Sequence, residues 1–370
     1  MSHLLVTNDF PPKIGGIQNY LWELWRRLPP DETFVLTTPH AGVSRFDAEQ
    51  PFWIRRTLEP VLLPNPVLAR RVDRLAADLD VDLVLLDPAV PLGIIGPWLE
   101  RPYGVVLHGA EVTIPARMPG TASLLGRVLR GAELVVSAGR YAAAEAERLV
   151  GHELPTVIVE PGVDTDRFSP LGPAERAAVR DRFALSADGP VIFSLSRLVP
   201  RKGMDTLIRA AARLKRVHPD LEVVIASTGR DRWRLERIVT ALDAPVRFLG
   251  RVDAEEIAGL YGAADVFAML CRTRWGGLEQ EGFGIVFLEA AAAGVPQVCG
   301  HSGGAAEAVE DGVTGLIVDP PTDVDAAVAA LDRLLSDEAL RARLAEAGRA
   351  RAEASFSYDV LAKRLAEALP

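Results

Sequence analysis

Short apolar runs alternate with amphipathic stretches along the whole chain. Leu4–Thr7, Thr33–Thr37, Asp82–Leu86, Gly104–Leu107, Leu134–Ser137 and Thr156–Val159 have the length and content of buried strands. So do Val191–Leu195, Glu222–Ala226, Val246–Leu249, Val266–Leu270, Gln297–Cys299 and Gly315–Val318. Between them lie segments of helical period, among them Ile17–Leu28, Leu68–Leu79, Ala142–Val150, Met204–Val217, Trp233–Ala241 and Val324–Leu335. Strand–helix alternation predicts parallel sheets with helices on both faces, an α/β class. The strands are too many for one compact sheet. Pro161-Gly-Val-Asp-Thr-Asp-Arg-Phe-Ser-Pro170 breaks the rhythm and reads as a linker. The expectation is two Rossmann-like doubly wound domains, 1–166 and 167–356, with a cleft between them.

Composition narrows the partners. The chain has 370 residues, 49% of them hydrophobic, enough for two cores. A formal net charge of −9 argues against nucleic acid. The two cysteines, Cys271 and Cys299, sit beside apolar sequence and read as small buried hydrophobes, which fits a reducing, cytoplasmic compartment. The opening Met-Ser-His-Leu-Leu-Val-Thr-Asn reads as a strand, not as a signal peptide. No apolar run has the length of a membrane span.

The chemistry concentrates where strands give way to helices. Glu281 and Glu289 bracket Gly282-Phe283-Gly284-Ile285, and a helix is expected to begin near Gly282–Gly284 with its free N–H groups facing an anion. Eight residues at helical rise span roughly 12 Å, the scale of a nucleotide diphosphate carrying a sugar. One carboxylate then suits a sugar's hydroxyls and the other a ribose. Upstream, the strand Val191–Leu195 runs into Ser196-Arg197-Leu-Val-Pro-Arg-Lys202-Gly203. Cations at the carboxyl end of a parallel strand suit a diphosphate, although surface ion pairs would use the same residues. Gly15-Gly16 follow the first strand and open a helix, which permits close approach to an anion and equally an ordinary turn. His108 ends the strand Gly104–Leu107, where a purely structural histidine is the alternative. Acid pairs such as Asp80–Asp82, Asp164–Asp166 and Asp323–Asp325 fall in turns, so no catalytic metal is expected.

One segment has interfacial composition. Phe52-Trp-Ile-Arg55-Arg56-Thr-Leu58, Val61-Leu-Leu and Val67-Leu-Ala-Arg70-Arg71-Val-Asp-Arg74 mix aromatics with arginines. Arg55, Arg56, Arg70, Arg71 and Arg74 are candidates to face a lipid surface. A solvated helix over core residues fits the same stretch, because Glu59 and Asp73 lie within it.

The pairing of Ser-Arg-x4-Lys-Gly with Glu-x7-Glu resembles the donor half of the retaining GT-B glycosyltransferases of family 4. Ser196–Ile208, Ala268–Leu278 and Gly300–Glu307 are similar to the phosphatidylinositol mannoside mannosyltransferases of actinobacteria. The resemblance implies transfer of mannose from GDP-mannose to a glycolipid acceptor, by a protein peripheral to the inner face of the plasma membrane. It implies that Arg197 and Lys202 stabilise the leaving diphosphate, that Glu281 positions the sugar and that His108 orients it. It places Gly15, Gly16 and Gln18 by the phosphates and acceptor, and Gly303-Gly304 near the phosphates. It puts Val252 and Asp253 at the base, where an acid accepts from guanine N1–H and N2–H; an N-cap role for Asp253 is as consistent with the residues. It also implies that the last helix, 357–370, crosses back to the first domain. The family often carries His-Gly-His-Glu; here Ala110 replaces the second His. A UDP- or GDP-sugar transferase with a soluble acceptor, a nucleotide-sugar epimerase and a non-catalytic sugar-nucleotide sensor share the scaffold.

Overall fold

Buried β-branched and leucine runs pair side by side because only sheet bonding satisfies their backbone groups away from water. In the computed structural model, which describes residues 2–369 except 114, 118 and 278, they form two sheets. Leu278, which ends one of the segments quoted above, lies outside the described residues, as does the side chain of Ala110. The first sheet contains β1 (His3–Thr7), β2 (Thr33–Thr37), β3 (Trp53–Arg56), β4 (Leu83–Asp87), β5 (Tyr103–Leu107), β6 (Leu134–Ser137) and β7 (Thr156–Ile158). Its order is β3-β2-β1-β4-β5-β6-β7, with every pairing parallel. The second contains β8 (Val191–Leu195), β9 (Glu222–Ala226), β10 (Val246–Gly250), β11 (Val266–Met269), β12 (Gln297–Gly300) and β13 (Gly315–Val318). Its order is β10-β9-β8-β11-β12-β13, again parallel. Each sheet reverses its winding beside its first strand, at β1/β4 and at β8/β11. Ligands of doubly wound sheets bind outside the strand carboxyl ends at that point.

The chain divides into two compact units, Met1–Pro161 with Tyr358–Pro370, and Gly162–Ser357. The boundary lies a few residues before the expected one. Val163 donates its N–H to the Phe356 carbonyl at 2.8 Å and bridges Ser357, so residues 162–166 and Ser357 group with the second unit. The last helix, Tyr358–Ala368, packs on the helix Gly16–Trp25 of the first unit. Arg27 bonds Asp359 at 2.6 Å, and Arg364 bonds Glu160 at 2.7 Å.

The pattern reading left several elements unnamed, and two of them have a clear physical reason. β3 carries Trp53-Ile-Arg-Arg at the sheet's edge, where arginines replace the apolar alternation expected of a strand. The helix Glu338–Phe356 buries Leu340, Leu344, Gly348, Ala352 and Phe356, a stripe at four-residue spacing whose small members disguise it. Asp337 caps this helix through the Leu340 N–H at 2.8 Å.

At the start of β1, His3 is 2% exposed and neither ring nitrogen has a hydrogen-bond partner among the described residues. Trp25, whose indole N–H is equally unpaired, meets the imidazole edge-on at 6.0 Å. Burial disfavours the charged ring and pushes its pKa down from 6.5 to about 4. The native state therefore refuses a proton that the unfolded chain accepts. Stability contributed by His3 is complete above pH 6.5 and is lost as pH falls through 4, to a total of about 3 kcal/mol. Thermal unfolding followed from pH 7 to pH 4 should show this slope, and His3→Leu should flatten it. An equally steep profile in the variant would assign the acid lability to other groups.

Candidate functional site

In the second unit the site forms around one carboxylate. β8 ends at Leu195, and the chain turns through Pro200–Lys202 into the helix Met204–Leu214. Gly203 makes the turn possible. Its φ is +69°, and a Cβ there would lie 1.7 Å from the Leu270 carbonyl oxygen. The turn delivers Lys202, 8% exposed, to Glu281, 7% exposed, with Nζ 2.6 Å from Oε2. Arg201 donates to the same oxygen at 3.0 Å and to the Gln280 carbonyl at 3.3 Å. Two cations meet on one buried carboxylate oxygen, and the excess positive charge suits an anion.

Glu281 is held from below as well. Ser302 Oγ accepts its N–H at 3.2 Å, and its carbonyl accepts from the Gly304 N–H at 3.1 Å. A Cβ on Gly303 would lie 2.2 Å from the Glu281 carbonyl oxygen, and one on Gly304 would lie 2.0 Å from that of Gly282. Gly303-Gly304 thus bring the turn after β12 against the Glu281 segment; the two glycine loops form one packed layer.

The helix after Glu281 is Ile285–Ala292, with Gly284 as its N-cap and no side chain capping it. Only Ile285 to Glu289 of the Glu–Glu interval is helical, so the 12 Å derived from helical rise does not apply to the full separation. Gly282 is exposed, whereas Phe283 is buried against Phe356 at 5.8 Å between ring centroids. The Phe283 side chain belongs to the core, and only its backbone can serve a ligand. Ile285 is half-buried. Glu289 accepts from the buried Tyr261 hydroxyl at 2.7 Å. Burial raises its pKa against the opposing pull of that hydrogen bond. Arg197 is exposed at the end of β8, and Asp253 is exposed at the N-cap of the helix Ala254–Ala263, its side chain bonding no helix N–H. Val252 is half-buried beside it.

In the first unit a second constellation gathers at the carboxyl ends of β1, β4 and β5. His108 Nε2 lies 2.6 Å from Oδ1 of Asp87, which is fully buried. Thr7 donates to the other oxygen at 2.6 Å. Tyr20 meets the His108 ring edge-on at 5.6 Å. Burial opposes the charged imidazole, but Asp87 prevails and the pKa is raised. Gly15 is the N-cap of the helix Gly16–Trp25, which has no capping side chain. A Cβ on Gly15 would lie 2.0 Å from Gln18 Oε1, and Gln18 Nε2 bonds Asp9 at 2.5 Å. Gln18 thus shapes the loop from within, while Gly16 has open space around it.

Sequence reasoning named His108, Arg197, Lys202 and Glu281 but missed Arg201, Ser302, Tyr261, Thr7 and Asp87. Thr7 and Asp87 did carry a signal: each is a polar residue closing an otherwise apolar run. The acid pairs have local duties. Asp164 accepts from the Asp166 and Arg167 N–H groups, Asp323 from those of Asp325 and Ala326, and Asp82 from Ser2. Among the described residues, no three His, Cys, Asp or Glu side chains gather as a metal would require.

The lipid-facing candidates separate. Arg56 is turned inward, bonding Asp47 at 2.7 Å, the Thr38 carbonyl at 3.0 Å and the Pro11 carbonyl at 2.6 Å, so it leaves the set. Arg71 pairs with Glu59 at 3.1 Å, whereas Arg55, Arg70 and Arg74 are exposed. Phe52 is buried on Phe10 and is not the surface aromatic its context suggested. Around the exposed arginines stand Leu58, Val61, Leu63 and Val67, from 52 to 95% exposed. No helix among the described residues is long and apolar enough to cross a membrane.

Comparison with known proteins agrees with this layout. Residues 14–167 match the family model "Glycosyltransferase Family 4", and residues 175–351 match "Glycosyl transferases group 1". A GDP-mannose-dependent alpha-(1-6)-phosphatidylinositol monomannoside mannosyltransferase of Mycolicibacterium smegmatis is 40% identical over 99% of this chain and 97% of its own. The monoacylated-acceptor mannosyltransferase of Corynebacterium glutamicum is 36% identical over the same shares. Among solved structures, Anabaena HepE in complex with UDP superposes with a TM-score of 0.83 at 22% identity, covering 100% of this chain and 99% of its own. WaaG, a glycosyltransferase of lipopolysaccharide biosynthesis, gives 0.69 at 18% identity, covering 99% of each chain. The fold is GT-B.

The two cation types at the site should separate on substitution. Lys202→Ala leaves Glu281 with one cation in a buried setting, so thermal stability should fall by about 3 kcal/mol together with turnover. Arg197→Ala breaks no contact among the described residues. Its stability should stay within about 0.5 kcal/mol while turnover drops by about a hundredfold. Near-parental turnover in a folded Arg197→Ala enzyme would remove Arg197 from the site.

Proposed function

The chain belongs to the family 4 and group 1 glycosyltransferases, and from that membership we propose that it transfers mannose from GDP-mannose to a phosphatidylinositol mannoside with retention of anomeric configuration. The observation that carries the reading is the buried Lys202–Glu281–Arg201 cluster at the carboxyl end of β8, with Arg197 exposed at the same strand end. Breaking the bond between the sugar C1 and the diphosphate oxygen leaves negative charge on the phosphate. Fixed cations stabilise that charge more in the transition state than in the ground state, which is what accelerates the step. Glu281 commits Oε2 to the cations, and Oε1 is the oxygen that serves a sugar hydroxyl. The acceptor hydroxyl attacks C1 on the face the diphosphate leaves, and its proton passes to the departing phosphate. Glu289 takes the ribose. Neutralisation by protein groups makes a divalent metal unnecessary, and activity should survive exhaustive chelation.

The base is assigned to Asp253. Its carboxylate is exposed and makes no cap bond, so it is free to accept from guanine N1–H and N2–H; uracil offers no such pair. Calorimetry should therefore show GDP binding more tightly than UDP, and Asp253→Ala should erode the difference by roughly 1.5–3 kcal/mol. Equal affinity of the parent for both nucleotides would defeat the GDP-mannose reading and favour a UDP-sugar.

A lipid acceptor requires docking at a membrane surface. The exposed Leu58, Val61, Leu63 and Val67, flanked by Arg55, Arg70 and Arg74, have the chemistry for an anionic interface. Each arginine near such a surface contributes about 1 kcal/mol, screened by salt. Sedimentation with phosphatidylinositol-containing vesicles should weaken with ionic strength. It should weaken further in Leu58→Ser/Val67→Ser and in Arg70→Ser/Arg74→Ser, with GDP affinity unchanged. A parent that ignores vesicles and mannosylates a water-soluble acceptor as fast as a lipid one would overturn this reading and favour the soluble-acceptor transferase.

A further inference from the structure

The hydrogen bonds around His108 have a fixed direction. The Asp9 backbone N–H, which can only donate, gives to Thr7 Oγ1 at 2.8 Å. The Thr7 hydroxyl hydrogen is then free for Asp87 Oδ2, 2.6 Å away. Asp87 thus accepts at Oδ2, and among the described residues its Oδ1 has the imidazole as its hydrogen-bond partner, with Nε2 at 2.6 Å. A carboxylate with no exposure, supplied at one oxygen by a hydroxyl donor, takes the ring proton as a hydrogen bond at the other. The proton of the neutral ring therefore resides on Nε2, and Nδ1 is the nitrogen that changes state.

Charge around the ring favours the cation. Asp87 at the end of β4 contacts it directly. Glu111, on the short helix Ala110–Thr113, accepts the backbone N–H groups of His108 and Gly109, the latter at 2.9 Å. Asp9, after β1, is a third carboxylate, itself held by Lys13 at 2.7 Å and Gln18 at 2.5 Å. Tyr20 faces the ring from the helix Gly16–Trp25, and its hydroxyl is committed to the Val159 carbonyl at 2.8 Å. Burial works against a cation here and Asp87 overcomes it, so the balance lies above the ordinary histidine value.

We propose that Asp87 is a positioning residue that holds His108 as an imidazolium, with Nε2–H bound to Asp87 and Nδ1–H presented as a hydrogen-bond donor to a ligand oxygen. On the functional reading above, that oxygen belongs to a substrate of the transfer, which His108 binds by donating to it. Thr7 and the Asp9 backbone set the direction of the chain. The sheet order puts the three strand ends side by side, β1 against β4 and β4 against β5, which is what makes the relay continuous. Because Asp9 is also held by Lys13 and Gln18, the relay ties the Gly15-Gly16 loop to His108.

The test uses the full-length chain with 15N-labelled histidine, the His108 signal being assigned by its loss in His108→Gln. In the parent the ring should titrate above pH 6.5, and the form left at high pH should carry its proton on Nε2. Asp87→Asn should lower that titration by one pH unit or more, and Asp87→Glu should recover part of the shift. In kinetics with GDP-mannose and the lipid acceptor, kcat/KM should fall as pH rises through the same value, with the falling limb moved down in Asp87→Asn. A parent ring that titrates at or below 6.5, or that keeps its high-pH proton on Nδ1, overturns the proposal, and neither result depends on the Asp87 variants folding. A folded Asp87→Asn that shifts neither the titration nor the kinetic limb overturns it as well. The nitrogen titration needs no substrate. An enzyme inactive with GDP-mannose whose His108 still follows Asp87 would therefore refute the donor assignment and leave the relay standing.

Discussion

Glu281 Oε2 receives both Lys202 Nζ and the Arg201 guanidinium in a setting nearly closed to water. Taking three ionised groups out of water costs several kcal/mol each unless they are brought into contact and bonded. The local backbone is arranged to meet that demand. Gly203 lets the Lys202 turn press on the end of β11, and Gly303-Gly304 let the turn after β12 press on Glu281 from the other side. Ser302 and the Gly304 N–H then satisfy the Glu281 backbone. The glycines are the condition for three strand ends to converge on one carboxylate.

The first unit solves the same problem with different residues. Its carboxylate is Asp87, fully buried at the end of β4, and its cation is His108 at the end of β5. In both units the buried acid lies beside the winding reversal, where neighbouring loops depart to opposite faces and leave backbone and side chains open to a ligand. A buried carboxylate there orients a cationic donor by a charge-assisted hydrogen bond, fixing in advance the geometry that water would have to reorganise to provide. Lys202 and His108 are thus positioned before any ligand arrives.

The surface between β3 and the helix Pro66–Asp78 illustrates how an edge strand sorts a mixed sequence. The pleat sends Arg56 to Asp47 and leaves Arg55 in solvent. Asn65 caps the helix through the Val67 and Leu68 N–H groups at 3.0 and 2.9 Å, which fixes the phase of the arginines behind it. Leu68, Val72 and Leu75 then face the core, while Arg70 and Arg74 share the outer side with Val67. Apolar and cationic groups reach the surface together because helix phase and strand pleat select them.

The sequence by itself determined the α/β class and the parallel strands, and it singled out His108, Arg197, Lys202 and Glu281 as candidates for sugar-nucleotide chemistry. These are legible because strand length, helical period and motif spacing are local properties of the chain. The first sheet's edge strand and the helix Glu338–Phe356 were not legible. An edge strand needs no apolar alternation, and small residues can line a buried helix stripe. Tertiary structure alone decided which charges meet. Arg201 reaches Glu281 across 80 positions, Thr7 reaches Asp87 across 80, and Asp87 reaches His108 across 21. Such pairings depend on strand order, and strand order follows from the packing of whole sheets and crossover helices. No local pattern of residues encodes it.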